Sequence, residues 1–183
     1  MVTSVLLMRP KQSRVIFDVA VLKIKEWKMS LTNQMFDCIK TNNLTKDELN
    51  RITDDVSKAL IDPKGNELFE SYLSRFEFSD GLASLKLYNT CSKILNEKQN
   101  SSSQGNLSKE SLESLITKVK MIKDTIEEED VTAIDFRVMA DLNKALETEN
   151  KEKLLGVLER VKEECQDSLR DLHQNFRRYI LEK

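Results

Sequence analysis

From Leu31 onward, apolar residues recur at intervals of three and four, the spacing that lays one apolar stripe along a helix. A first short helix is predicted over 31–40, with Met35, Phe36 and Ile39 on one side. The next begins at Thr45, where Thr45-Lys46-Asp47-Glu48 has capping-box spacing, and Leu49, Ile52, Val56, Ala59 and Leu60 continue as one stripe. Asp62-Pro63 ends it, because the residue before a proline is pushed out of the helical region and proline suits a first helical turn. A third helix is predicted over 63–75, with Leu68, Phe69, Tyr72 and Leu73 apolar. Ser79 is read as the cap of a fourth, running to about Leu95 with Leu82, Leu85, Tyr88 and Cys91 near helical spacing.

The polar stretch 96–107, centred on Ser101-Ser102-Ser103-Gln104-Gly105, is predicted to be a mobile loop. Beyond it Ser108 is read as capping a helix that carries Leu112, Leu115, Val119, Ile122 and Ile126. Glu127-Glu128-Glu129-Asp130 is read as closing that helix and opening the next, whose stripe is Val131, Ile134, Val138, Leu142 and Ala145. In the last stretch Leu154, Leu158, Val161, Cys165, Leu169, Leu172, Phe176 and Ile180 keep helical spacing. They form one long helix or two with a bend between Cys165 and Leu169, with too few strict heptads for a coiled coil.

Residues 1–28 break this pattern, being rich in β-branched residues such as Val15, Ile16, Val19 and Val21. Three readings stay open: a packed appendage, a flexible arm, or residues upstream of a start at Met29. No apolar run there approaches the roughly 20 residues of a membrane span. Arg9, Lys11 and Arg14 interrupt the apolar stretch where a secretory signal would place its charges ahead of it. The expected organisation is an appendage or arm over 1–30 and a helical domain over 31–183.

Composition narrows the function. Four Gly and two Pro in 183 residues leave little for the tight turns of a β-sandwich, so the fold class is all-α. With 29 basic and 31 acidic side chains interspersed, the net charge of −2 gives no electrostatic argument for nucleic acid or an anionic membrane. Cys38, Cys91 and Cys165 are far apart in apolar helical stretches and are read as buried, reduced thiols. A zinc site would need paired Cys/His spacing, and His173 is the only histidine. With no Ser or Cys nucleophile context beside it, His173 is read as a surface residue. Asp54-Asp55 and Glu163-Glu164 point about 100° apart on a helix and are read as solvated. Arg177-Arg178 sits where cations offset a helix dipole. Gly65, Gly81, Gly105 and Gly156 are isolated, so no phosphate-binding loop is present in the sequence. No catalytic group, cofactor or metal is expected.

One block is more specific. Ala59-Leu60-Ile61-Asp62-Pro63-Lys64-Gly65-Asn66-Glu67-Leu68-Phe69-Glu70-Ser71-Tyr72-Leu73, followed by Phe76-Glu77-Phe78-Ser79, resembles the signature of the RGS (regulator of G-protein signalling) family. In that family a helix ends in a short loop, often Asp-Pro with a glycine soon after. The next helix carries Leu-Phe and an aromatic-Leu pair, and a Glu-Phe-Ser type of turn opens a long helix. The order of the remainder agrees: a helix with Ile122 and Ile126, an acidic turn, a helix ending near Leu146, and a tail with Phe176, Tyr179 and Ile180. The resemblance covers about 31–181.

It implies a bundle of about nine helices in two subdomains that binds the switch regions of a G-protein α subunit. Such domains accelerate GTP hydrolysis by holding those switches in their transition-state shape, and supply no reactive group. The sequence also departs from the family. After the serine the family usually has Glu-Glu-Asn, then an apolar residue and a Phe-Trp pair, where this chain has Asp80-Gly81-Leu82 and Leu85-Lys86. The family's Asp-Ser-Tyr-Pro-Arg is half met by Asp167-Ser168-Leu169-Arg170, and 127–132 holds no asparagine.

These departures bear on GTPase activation more than on fold. By the resemblance, the partner-binding residues are Phe78, Ser79, Asp80, Asp167, Ser168 and Arg170. From the residues alone, Phe78 is core, Ser79 a cap and the charges solvated. Two functions follow: a domain that binds a G-protein α subunit and accelerates its GTP hydrolysis, or a non-catalytic helical scaffold or adaptor binding another protein in a groove between helices. Either is expected to be a cytoplasmic monomer with no nucleic-acid partner and no membrane insertion, recruited to the inner face of the plasma membrane by its partner.

Overall fold

A computed structural model describes residues 44–102 and 109–181. The chain divides into two compact units, Met1–Leu44 and Thr45–Lys183, and the description concerns the second. The appendage at 1–30, the helix predicted over 31–40, Cys38 and the Ser108 cap lie outside the described residues.

The described residues form eight helices and no strand, so the fold is all-α: α1 (Lys46–Ile52), α2 (Val56–Ile61), α3 (Pro63–Arg75), α4 (Ser79–Ser102), α5 (Lys109–Glu128), α6 (Phe136–Thr148), α7 (Lys151–Ser168) and α8 (Arg170–Leu181). α1 starts as the capping box requires, with Thr45 Oγ1 accepting the Glu48 amide at 3.2 Å. The single helix predicted over 45–60 is in fact two. Thr53 turns its hydroxyl back to the Leu49 carbonyl at 2.7 Å, and Asp55 Oδ1 accepts the Ser57 amide at 2.7 Å to open α2. Consecutive polar residues at 53–55 thus offer the backbone partners that compete with the helical ladder.

α3 begins with Pro63 at its first position and the Asp62 carboxylate accepting from the Lys64 and Gly65 amides. A Schellman turn ends it: Glu77 takes φ 57°, Phe78 N–H reaches the Leu73 carbonyl at 3.0 Å and Glu77 N–H the Ser74 carbonyl at 3.2 Å. The Leu82 amide then bonds the Phe78 carbonyl at 2.9 Å. Phe78 therefore stands at the cap position, and Ser79, expected there, is the first residue inside α4. That helix continues through Ser102, so 96–102 of the expected loop are helical. Glu97, Lys98 and Gln99 are good helix formers, and the Glu97 carboxylate pairs with Lys118 of α5 across the helix pair.

A second left-handed residue, Asp130 at φ 48°, stops α5, with Val131 N–H on the Ile126 carbonyl at 3.2 Å. The acidic run at 127–130 therefore ends one helix without opening the next. α6 starts at Phe136, capped by Asp135 Oδ1 on the Val138 amide at 2.9 Å, and Val131 and Ile134 are buried in the connection. The final stripe is two helices, broken at Leu169, where Ser168 Oγ donates to the Cys165 carbonyl at 2.8 Å.

Packing sorts the helices into two groups. α4 to α7 form an antiparallel bundle in which α4 lies chiefly on α7, while α8 returns to pack on α1, α2 and α3. The second group has an aromatic core, with Phe176 5.1 Å from Phe69 and 5.4 Å from Tyr72 between ring centroids. Reciprocal amide bonds of 2.9 and 3.0 Å between Asn66 and Asn89 tie α3 to α4. A Cβ at Gly65 would stand 2.9 Å from the Ala59 carbonyl oxygen, so only glycine permits the close α2–α3 corner. No helix among the described residues is long and apolar enough to cross a membrane.

Replacing Phe69, fully buried, with alanine is expected to cost about 3–5 kcal/mol in urea denaturation. Glu77→Gly is expected to act in the opposite sense, raising stability by about 0.5–1 kcal/mol, because glycine adopts the left-handed conformation without the Cβ penalty.

Candidate functional site

The antiparallel register brings three chain connections to one end of the bundle. Glu97 pairs with Lys118, and Thr90 and Thr125 line the same groove between α4 and α5. α5 therefore finishes beside the first turns of α4, and the α5–α6 connection at 129–135 lies at that end. On the other side, a Cβ at Gly81 would stand 2.7 Å from Leu172 Cδ1 and 3.1 Å from Leu73 Cδ2. The turn at 76–80 is thus seated directly against the start of α8, beside the α7–α8 junction.

Of the residues expected to bind a partner, Ser79 and Asp80 are exposed at this end, with the Ser79 hydroxyl donating to Asp80 Oδ1 at 3.3 Å. Phe78 is half-buried, 6.0 Å from the Tyr72 ring and 6.3 Å from Phe76, so most of it belongs to the aromatic core. Asp167 and Ser168 are exposed at the α7–α8 junction. Arg170 is held by Asp167 at 2.7 Å and turns toward a different surface. There it lines a cleft of about 350 Å³ with Asp54, Asp55, His173, Gln174 and Arg177. Arg177 contributes to that cleft while bonded to Asn50 Oδ1 at 2.7 Å.

His173 corrects the sequence reading: it is 4% exposed, edge-on to Phe69 at 5.8 Å. The buried stripe of α8 is His173, Phe176 and Ile180, continuing from Leu169 at the junction, and Leu172 lies beside it, half-buried against the α4 start. The spacing of that stripe was readable, but leucine outweighed its histidine neighbour on apolarity. Burial pushes the His173 pKa below its ordinary 6.5, Arg177 reinforces this, and Asp55 and the Thr53 backbone oppose it. A hydrogen bond and the charge of Lys58 hold Asp54 below the usual carboxylate range, and the Ser57 amide and hydroxyl do the same for Asp55.

Cys91 and Cys165 are free and buried, and burial pushes each thiol up to about 12. They are protonated at neutral pH and unsuited to nucleophilic attack. Among the described residues no three His, Cys, Asp or Glu side chains are grouped to hold a metal ion. A second cleft, about 270 Å³, lies between α4 and α5, with Ile94 and Ile122 inside and Met121, 63% exposed, on its rim. Phe136, 85% exposed at the first position of α6, went unnoticed in the sequence because it lies outside every apolar stripe. In comparisons with protein-family models, curated proteins and solved structures, nothing matches the chain.

The buried histidine has a pH signature. Its folded-state pKa lies below the unfolded value, so the stability it contributes is present above pH 6.5 and is lost as pH falls through the folded pKa. Wild-type protein is expected to lose stability between neutral pH and pH 5 in denaturant titrations, and His173→Leu to lose less over that interval. Equal losses in the two proteins would assign the effect to other groups.

Proposed function

We propose that this chain is an RGS-like protein-interaction domain that binds the switch surface of a G-protein α subunit through the bundle end. The supporting observation is that the turn at 76–80, the acidic connection at 129–135 and the α7–α8 junction, far apart in sequence, come to that one end. Among the described residues the helices sort into two packed groups, which supports a reading with two subdomains. Ser79 keeps the family's serine and Asp80 offers a carboxylate where the family has its first Glu, while Leu82 stands in place of the Asn, and Asp167 and Ser168 flank the turn from the junction. Binding of this kind accelerates hydrolysis by holding the switches in place, with the reactive groups belonging to the partner.

The open cleft between α4 and α5, with Ile94 inside and Met121 on its rim, favours a second reading: a non-catalytic adaptor that takes an amphipathic helix in that groove.

The test is single-turnover GTP hydrolysis by a panel of α subunits with and without the full chain, paired with binding to their GDP–aluminium fluoride form. Preferential binding to that form is expected, weakened about tenfold or more by Asp80→Lys. No preference in any α subunit would reject this reading and leave the groove adaptor.

A further inference from the structure

Phe136 is the most exposed large apolar side chain among the described residues. Lone exposed apolar groups are ordinary on protein surfaces, so its position decides whether it matters. Asp135 caps α6 through the Val138 amide, which makes Phe136 the first helical residue. Helical side chains lean toward the N-terminus, and at the first position no preceding turn lies beneath the ring. The ring therefore projects past the helix end, at the end of the bundle where the three connections meet. A phenylalanine so placed presents a large apolar contact area, on a helix whose first turn is pinned by its cap.

The chain segments that meet at this end carry acidic side chains. Glu77, Asp80, Glu129, Asp130 and Asp135 are all exposed in the turn at 76–80 and the α5–α6 connection. Two of them, Glu77 and Asp130, stand at helix ends in left-handed backbone. Cations are fewer among these segments: Arg137 follows the ring directly and Arg75 lies over the Phe76 and Tyr179 rings, while Arg170 turns to the cleft along α8. An apolar centre inside a charged rim is the anatomy of an interface hot spot, where an aromatic anchor fills a pocket and the rim sets orientation and encounter rate.

We infer that Phe136 is the apolar anchor of this end, seating in an apolar pocket whose rim on the partner is lined by lysine or arginine. The inference rests on the reading above, and its occupant is the switch face of a G-protein α subunit. It replaces the polar contact that the sequence lacks at 127–132 with an aromatic one from the same connection. The acidic rim complements a basic face and disfavours a second copy of this chain, whose own end carries the same sign.

The experiment measures equilibrium binding of the full chain to purified α subunits in the GDP–aluminium fluoride form. Phe136→Ala is expected to weaken binding by about tenfold or more, and Phe136→Leu by less, as an anchor filled by shape requires. Both variants should keep the wild-type melting temperature, since the ring faces solvent. Added salt should weaken wild-type binding, through the rim. If Asp80→Lys abolishes binding while Phe136→Ala binds like wild type, the anchor is refuted and the α-subunit reading stands. Failure of the wild-type chain to bind any α subunit refutes both. Concentration-dependent self-association in sedimentation that Phe136→Ala removes would assign the ring to a second copy and overturn the inference.

Discussion

The return of α8 onto α3 is the contact on which the rest of the arrangement depends. Phe176 is fully buried against Phe69 and Tyr72, and Tyr179 extends the same cluster, 5.6 Å from Tyr72 and 5.3 Å from Phe76. Offset and edge-on aromatic pairs of this kind add to the stabilisation their area already gives. α3 runs straight into α4 and α7 into α8, so the cluster joins the outer helices at the bundle end where both junctions lie. That closure presses Leu172 onto Gly81 and puts the turn at 76–80 beside the α7–α8 junction. The contact joins residues far apart in the chain, so it is a long-range one.

Backbone geometry then decides what that end presents. Glu77, Asp130 and Glu149 are non-glycine residues in the left-handed region, and the first two close helices at the candidate surface. Glu77 and Asp130 each take on a Cβ strain of order 1 kcal/mol, tolerated because the following amide bonds back onto the last turn. The outcome is two abrupt helix stops, each at an acidic residue, and a capped helix starting at Phe136. A glycine at either stop would make the turn more easily and leave out the charge.

The buried polar groups sit away from this end or are silent there. Cys91 and Cys165 are protonated inside the bundle, and His173 lies neutral within the aromatic core. Arg170, Arg177 and the two aspartates of the α1–α2 break form their own cleft along α8. What the bundle end exposes among the described residues is the Phe136 ring, part of Phe76 and several carboxylates.

The sequence by itself determined that the chain is helical, where the apolar stripes run, and most helix starts. Thr45, Asp62-Pro63 and the spacing from Leu154 to Ile180 act through bonds and contacts within a turn or two, so local chemistry suffices to read them. It misled where the apolar stripe ran on through a polar break, as at 53–55, and where a polar segment kept helical geometry through a cross-helix ion pair, as at 96–102. Only the tertiary structure decided which of Leu172 and His173 faces the core, that Arg170 turns from the bundle end, and that Phe136 is exposed there. Those outcomes depend on how α8 rolls against α3 and on where one helix ends beside another. Such rotations are set by packing between residues far apart in the chain, and no local pattern carries them.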